Sequence, residues 1–382
     1  MDKLVAHGGR PMVGEIRVSG SKNTALPLMA ATLLVDGVST IERVPVLRDV
    51  RTFAQVIRAT GAGVTYDRAT SQLCIDAATS TTPEAPYDLV KRMRASIYML
   101  GALLARFGRA RVSLPGGCAW GPRPVNLHIE GMQALGASIE VEDGYIVAHA
   151  PGGRLRGGTF RFEPTSVGAT INVLLAATTA SSTTELRNCA VEPDVVDFAR
   201  GLQAMGAQIE GIGTRRMIIE GVDALHAAAL HNAPDRIELG TYMIAAALLG
   251  TPGRPLRILD ADASLLGEMF RNAFDDTGAV VDYASDTVTV DAPDVLQPVS
   301  VRTDVYPGFP TDLQAQWTVL MTQASGESTV RDTIYADRFA HVPELRRLGA
   351  ELEVSGNAVH VKGGQQLKGA TVMSTDLRAS VS

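Results

Sequence analysis

Residues Gly131–Glu140 read G-M-Q-A-L-G-A-S-I-E, and residues Gly201–Glu210 read G-L-Q-A-M-G-A-Q-I-E, nearly the same run set 70 positions further on. Each reads as the end of a helix, a Gly-Ala stop and the start of a strand. A glycine there suits the left-handed conformation just past a helix C-cap, and the alternating apolar residues after it suit a half-buried strand. Fainter copies lie in V-I-R-A-T-G-A-G-V-T (Val56–Thr65), F-D-D-T-G-A-V-V-D (Phe274–Asp282) and P-E-L-R-R-L-G-A-E-L-E (Pro343–Glu353). The five glycines, Gly61, Gly136, Gly206, Gly278 and Gly349, stand 75, 70, 72 and 71 residues apart. A fixed period of this kind means one structural unit used repeatedly.

A second series interleaves with the first. Its members are Ser21–Leu34, Arg94–Ala105, Ser166–Thr179, Glu238–Leu249, Thr311–Thr322 and a last, short one at Asp376–Ser382. Each complete member begins polar and then turns apolar on nearly every face, the pattern of a helix buried all round. One buried helix, one amphipathic helix and short strands joined by turns such as Asp143-Gly144, repeated, predict α/β layers with helices enclosed by sheets. The second series opens a sixth unit at Asp376, while the first stops at five. By the same period a sixth Gly-Ala would fall near position 420, about 40 residues on. The chain therefore reads as partial, cut inside its sixth unit.

Composition sets the remaining bounds. A length of 382 residues predicts two domains. Cys74, Cys118 and Cys189 are too few and too scattered for a disulfide framework or a metal-ligand set, which fits a reducing cytoplasm. The opening M-D-K-L-V-A-H-G-G has no signal-peptide pattern, and no apolar run reaches the roughly 20 residues that span a bilayer. No membrane association is expected. The net charge of −6 gives no electrostatic footprint for nucleic acid.

Any positive site must then be local. Helix N-termini attract anions through free N–H groups and the macrodipole. Several buried helices open with a cation or a hydroxyl: Lys22-Asn23, Arg94-Ala95-Ser96, Ser166-Val167-Gly168 and Asp376-Leu377-Arg378. If the repeats aim these ends at one cleft, the ligand is a phosphorylated small molecule; the plainer alternative is ordinary solvated charge. Asp312, in P-T-D-L-Q-A-Q, is the exception, a carboxylate at a helix start. It is either a capping group or a general base.

Seven motifs in order carry a resemblance that runs along the chain. They are V-S-G-S-K-N-T-A-L-P (Val18–Pro27), K-R-M-R-A-S-I (Lys91–Ile97), L-P-G-G-C-A-W-G-P-R-P-V-N-L-H (Leu114–His128), S-V-G-A-T (Ser166–Thr170), P-T-D-L-Q-A-Q (Pro310–Gln316), R-F-A-H-V-P-E-L (Arg338–Leu345) and T-D-L-R-A-S (Thr375–Ser380). Together they resemble the enolpyruvyl transferase family, in the branch that acts on UDP-N-acetylglucosamine. The resemblance implies a two-domain inside-out α/β barrel of six βαβαββ repeats, the sixth truncated here. One domain would span 22–232, and the other would combine 1–21 with 233–382.

The implied reaction moves the enolpyruvyl group of phosphoenolpyruvate to the 3′-hydroxyl of UDP-N-acetylglucosamine and releases phosphate, at the entry to peptidoglycan synthesis. No cofactor and no metal are implied. Cys118, in a Gly- and Pro-rich segment, would ride on a lid as proton donor, the site fosfomycin attacks, with Asp312 as base. Lys22, Arg123 and Arg378 would hold phosphoenolpyruvate. Arg94 would face the nucleotide sugar, alongside Asn23. Arg123, Pro124, Val125, Asn126 and Leu127, with Ser166 and Val167, would cradle the uridine diphosphate. Ile334 would touch the sugar, and Arg338 is a further candidate. Glu192 and Glu238 are candidates for the cleft wall, whereas His128 and His341 read as structural. Cys74 and Cys189 read as inert strand residues.

Two positions depart from the family: Asn126 where an Asp is usual, and Pro164 where many members have Lys. They leave nucleotide preference open, so transfer to another uridine nucleotide such as UMP is one alternative. A catalytically silent nucleotide-sugar-binding relative is the other, although a mere binder needs neither Cys118 nor Asp312.

Overall fold

The computed structural model describes residues 4–91, 93–114, 125–335 and 337–374. They carry five four-stranded sheets of one plan: a first strand pairs in parallel with a second, and the other two strands extend the sheet antiparallel. The chain divides into two compact units, Ser19–Ala233 and the residues on either side of it, up to Val18 and from Pro234.

Within Ser19–Ala233 the Gly-Ala period becomes three turns of one motif. The helices Arg48–Ala59, Asn126–Ala134 and Pro193–Ala204 end two residues before Gly61, Gly136 and Gly206, with a single capping residue between. All three glycines are left-handed, at φ 98°, 98° and 100°, where a side chain would be strained. The strands Gly63–Asp67, Ser138–Glu142 and Gln208–Glu210 follow at once. The Asp143-Gly144 turn has both residues at positive φ, as a tight hairpin requires.

The ring closes on itself, for strand Ala229–Leu230 returns to pair in parallel with Val38–Ile41 of the first repeat. The inner helices Lys22–Ala31, Tyr98–Phe107 and Val167–Ala177 fill the middle and are buried along most of their length. Glycines let them approach. A Cβ on Gly201 would sit 2.5 Å from the Leu28 side chain, and one on Gly101 would sit 2.5 Å from both the backbone oxygen and Oδ1 of Asn172. The two cases differ in what can move. Leu28 can swing its methyl aside, and alanine favours a helix by about 1 kcal/mol, so Gly201→Ala should be near neutral. Gly101→Ala meets fixed backbone and should cost about 1–3 kcal/mol in urea unfolding.

The second unit repeats the plan twice. Strand Gly14–Arg17 pairs in parallel with Leu256–Leu259, and Val301–Arg302 with Glu327–Arg331. Its core is aromatic: Phe270, Phe274, Phe309 and Trp317 have ring centroids 5.2–6.0 Å apart in the stacked, tilted and edge-on pairs they form. Trp317 is fully buried, and its indole N–H donates to the Val299 carbonyl at 3.1 Å. Helix Gln314–Thr322 is buried at every residue, its polar Gln314, Gln316, Thr318 and Thr322 included, in line with the reading of a helix buried all round. Gly349 follows the cap of helix Val342–Arg347 at φ 99°. Gly278 stands one residue later than that, since Asp276 and Thr277 both precede it. The residues that would open a sixth unit, from Asp376, lie outside the described ones. No described helix is long and apolar enough to cross a membrane.

Candidate functional site

In the Ser19–Ala233 unit the motif residues gather at helix starts. Ser21 caps helix Lys22–Ala31, its hydroxyl accepting from the Thr24 amide at 3.2 Å. The same hydroxyl donates to Asp194 Oδ1 at 2.8 Å, and the Thr24 hydroxyl donates to it at 3.2 Å. Asp194, buried in the first turn of its own helix, thus fixes the turn that carries Lys22 and the half-buried Asn23. Lys22 Nζ lies 3.4 Å from Asp49 Oδ2, with both side chains largely shielded. Ser166 caps helix Val167–Ala177 through the Ala169 amide at 3.3 Å. Neither the Lys22 nor the Val167 helix has an acidic residue in its first turn. The Asp194 carboxylate already meets the start of the Lys22 helix, whereas the first turn of the Val167 helix carries no acid and favours an anion.

Arg94 opens a short 3-10 turn that runs into helix Tyr98–Phe107. Its charge reaches two buried groups. Burial first, and repulsion from Arg94 second, hold the His128 imidazole down at about 3. Burial and the Asp194 carboxylate push the Tyr98 phenol well above its usual range, with Arg94 opposing them. Gly168 borders this group: a Cβ there would lie 3.5 Å from the His128 ring. The Arg94 turn and the Ser166–Gly168 helix start are thus neighbours.

Asn172 orders that neighbourhood. Its Oδ1 accepts from the Gly101 amide at 3.0 Å, so its NH₂ faces the Ile97 carbonyl and His128 Nδ1, each at 2.9 Å. Nδ1 must then be an acceptor, and the neutral ring carries its proton on Nε2. Asn126 opens helix Asn126–Ala134, exposed, its amide donating to Glu130 at 3.2 Å. Val125 precedes it as the N-terminal flanking residue, and both Val125 and Leu127 pack against the core. Glu192 is buried, and its Oε2 has no hydrogen-bond partner. Cys118, Arg123, Pro124 and Arg378 lie outside the described residues.

In the other unit Asp312 sits in the turn Thr311–Leu313 ahead of helix Gln314–Thr322. Arg338, its side chain 3% exposed, donates through Nη2 to Asp312 Oδ1 at 2.8 Å and through Nη1 to the Thr311 hydroxyl at 2.9 Å. Ile334 follows Asp332, whose Oδ1 accepts the Ile334 amide at 2.9 Å. Glu238 takes a 2.7 Å bond from the Tyr242 hydroxyl inside helix Arg236–Leu249. His341 is buried with Nε2 unpaired, and burial, then the nearby Arg338, hold it down at about 4. Among the described residues no group of three or more His, Cys, Asp or Glu could hold a metal ion.

Two buried histidines kept neutral make stability depend on pH. The unfolded chain takes up their protons near 6.5, while the folded chain resists until about 3 and about 4. Their contribution is complete above pH 6.5 and is lost as pH falls toward those folded values. Each can remove up to about 1.4 kcal/mol per pH unit across that window. The urea midpoint should drop between pH 7 and 5, and His128→Gln should flatten the drop.

The residues that sequence reading passes over are Asp49, Asn172, Asp194, Thr311 and Asp332. Asp194 stands two residues beyond Glu192 in V-E-P-D, and the proline start there signals a helix whose first turn would carry it. Asp332 in R-D-T-I has only a weak turn signal.

Residues 6–382 match the family model described as EPSP synthase (3-phosphoshikimate 1-carboxyvinyltransferase). A Chlorobaculum parvum protein named UDP-N-acetylglucosamine 1-carboxyvinyltransferase is 51% identical over 381 residues, 100% of this chain and 88% of its own length. A Myxococcus xanthus protein of the same name is 46% identical over 383 residues, 100% of this chain and 90% of its own. The crystal structure of the enolpyruvyl transferase NikO from Streptomyces tendae aligns with a TM-score of 0.86 at 28% identity, covering 98% of this chain and 88% of that one. EPSP synthase from Acinetobacter baumannii aligns at 0.72 and 15% identity, over 98% of this chain and 88% of its own, a likeness of fold.

Proposed function

The chain belongs to the EPSP synthase family of enolpyruvyl transferases, and from that premise we propose that it moves the enolpyruvyl group of phosphoenolpyruvate to the 3′-hydroxyl of UDP-N-acetylglucosamine. The observation that carries this choice of acceptor is the similarity, at 46–51% identity over the whole chain, to proteins named for that sugar nucleotide. The product feeds peptidoglycan, so the enzyme serves cell-wall growth, cell shape and division from the cytoplasm.

The architecture that goes with this reading is an inside-out barrel of six βαβαββ units in two domains, 22–232 and 1–21 with 233–382. Five sheets of one plan support it. The Cys118 thiol delivers a proton to the methylene carbon of phosphoenolpyruvate, which makes the adjacent carbon electrophilic. The sugar 3′-oxygen attacks that carbon as Asp312 takes its proton. Loss of phosphate, with a proton from the new methyl group, restores the double bond. Lys22, Arg123 and Arg378 hold the phosphate and carboxylate of phosphoenolpyruvate. Arg94, Asn23, Val125, Asn126, Leu127, Ser166, Val167, Ile334 and Arg338, with Pro124, shape the nucleotide-sugar side. The start of helix Val167–Ala177, with no acidic residue in its first turn, supports an anionic ligand.

Phosphate release from phosphoenolpyruvate tests the acceptor. It should start on adding UDP-N-acetylglucosamine and not on adding UMP; release with UMP alone would reject the assignment.

A further inference from the structure

We propose that Asp332 and Thr311 form a hydrogen-bonded relay that positions Asp312 to take the acceptor's proton; this deepens the reading above and rests on Asp312 being the base. Asp332 is completely buried and accepts four bonds. Its Oδ1 takes the Thr303 hydroxyl and the Ile334 and Tyr335 amides, each at 2.9 Å. Its Oδ2 takes the Thr311 hydroxyl at 2.6 Å. A buried carboxylate persists only when so satisfied.

Valence fixes the direction of the chain. The Thr311 hydroxyl has one hydrogen, and Asp332 takes it. The Thr311 oxygen can then only accept, and Arg338 Nη1 donates to it at 2.9 Å. The guanidinium is planar, so this bond sets the plane from which Nη2 meets Asp312 Oδ1 at 2.8 Å. Asp332, Thr311, Arg338 and Asp312 thus alternate anion, hydroxyl, cation, anion. The same buried carboxylate ties down the amide of Ile334, so the turn carrying the base and the segment carrying Ile334 share one anchor. Asp332 touches no reacting atom in this scheme. It is a positioning residue.

A residue that only stabilised the fold would move the melting temperature and leave turnover alone, so the test reads turnover and binding separately. Thr311→Val removes the hydroxyl and should lower kcat by about 10- to 100-fold, the range a displaced catalytic group costs, with KM for both substrates little changed. Thr311→Ser keeps the hydroxyl and should restore kcat. In an Asp312→Asn background, Thr311→Val should cost nothing further, because both changes act through the same carboxylate. If Thr311→Val does not fold, Asp332→Asn takes its place in the cycle. A Thr311→Val enzyme as fast as the parent would overturn the relay, and so would an undiminished loss on top of Asp312→Asn. Parent-like turnover by Asp312→Asn itself would instead overturn the assignment of the base beneath it.

Discussion

Asp312→Asn lowers kcat by about 10²- to 10⁴-fold, the range expected for loss of a general base, and changes the KM of either substrate far less. The argument is chemical. An amide of the same shape still accepts a bond from Arg338, so the turn Thr311–Leu313 keeps its place. What is lost is a group that can take the proton from the sugar hydroxyl as its oxygen attacks. That proton is in motion only in the transition state, so binding is spared while turnover falls. Steady-state rates of phosphate release with each substrate varied in turn measure both quantities. A rise in KM with kcat unchanged would make Asp312 a binding residue.

Cys118→Ala should remove turnover almost entirely and abolish covalent labelling by fosfomycin. A free thiol, with a pKa near 8.5, is protonated at neutral pH yet close enough to ionisation to give up its proton. A methyl group has no proton to give. The other two cysteines supply the internal control. Cys189 is fully buried, and burial pushes its thiol up to about 12. Cys74 stands half-buried in strand Gln72–Asp76. Neither stands in the motif that the lid thiol occupies, so one fosfomycin adduct is expected per chain, at Cys118, formed faster with UDP-N-acetylglucosamine present. Peptide mass spectrometry reads the position, and an adduct on Cys74 or none at all would remove Cys118 from the mechanism.

The repeat was legible because it is local. A left-handed glycine after a helix and an alternating strand behind it are dictated within ten residues, and Gly61, Gly136, Gly206 and Gly349 sit at that helix-to-strand stop. The helices buried all round were legible for the same reason, as the fully buried Gln314–Thr322 shows. The partners were not. Lys22 and Asp49 are 27 positions apart, and Asp312 and Arg338 are 26 apart. The motifs mark Lys22, Asp312 and Arg338 but say nothing of their partners, and only the fold sets each pair side by side. Asp332 was invisible for another reason: a lone Asp between strand and turn advertises a turn, not four bonds made after burial. Asn172 hides likewise inside an apolar helix, where nothing local announces that it aligns His128 with Gly101.

The most direct test of the account is the identity of the product. The protein is incubated with phosphoenolpyruvate and an equal mixture of UDP-N-acetylglucosamine and UMP, and the nucleotides are analysed by mass spectrometry and NMR. The predicted result is UDP-N-acetylglucosamine carrying one enolpyruvyl group in ether linkage at its 3′-oxygen, with one phosphate released per product and UMP unchanged. An unmodified sugar nucleotide, or an enolpyruvyl group on UMP, would contradict it.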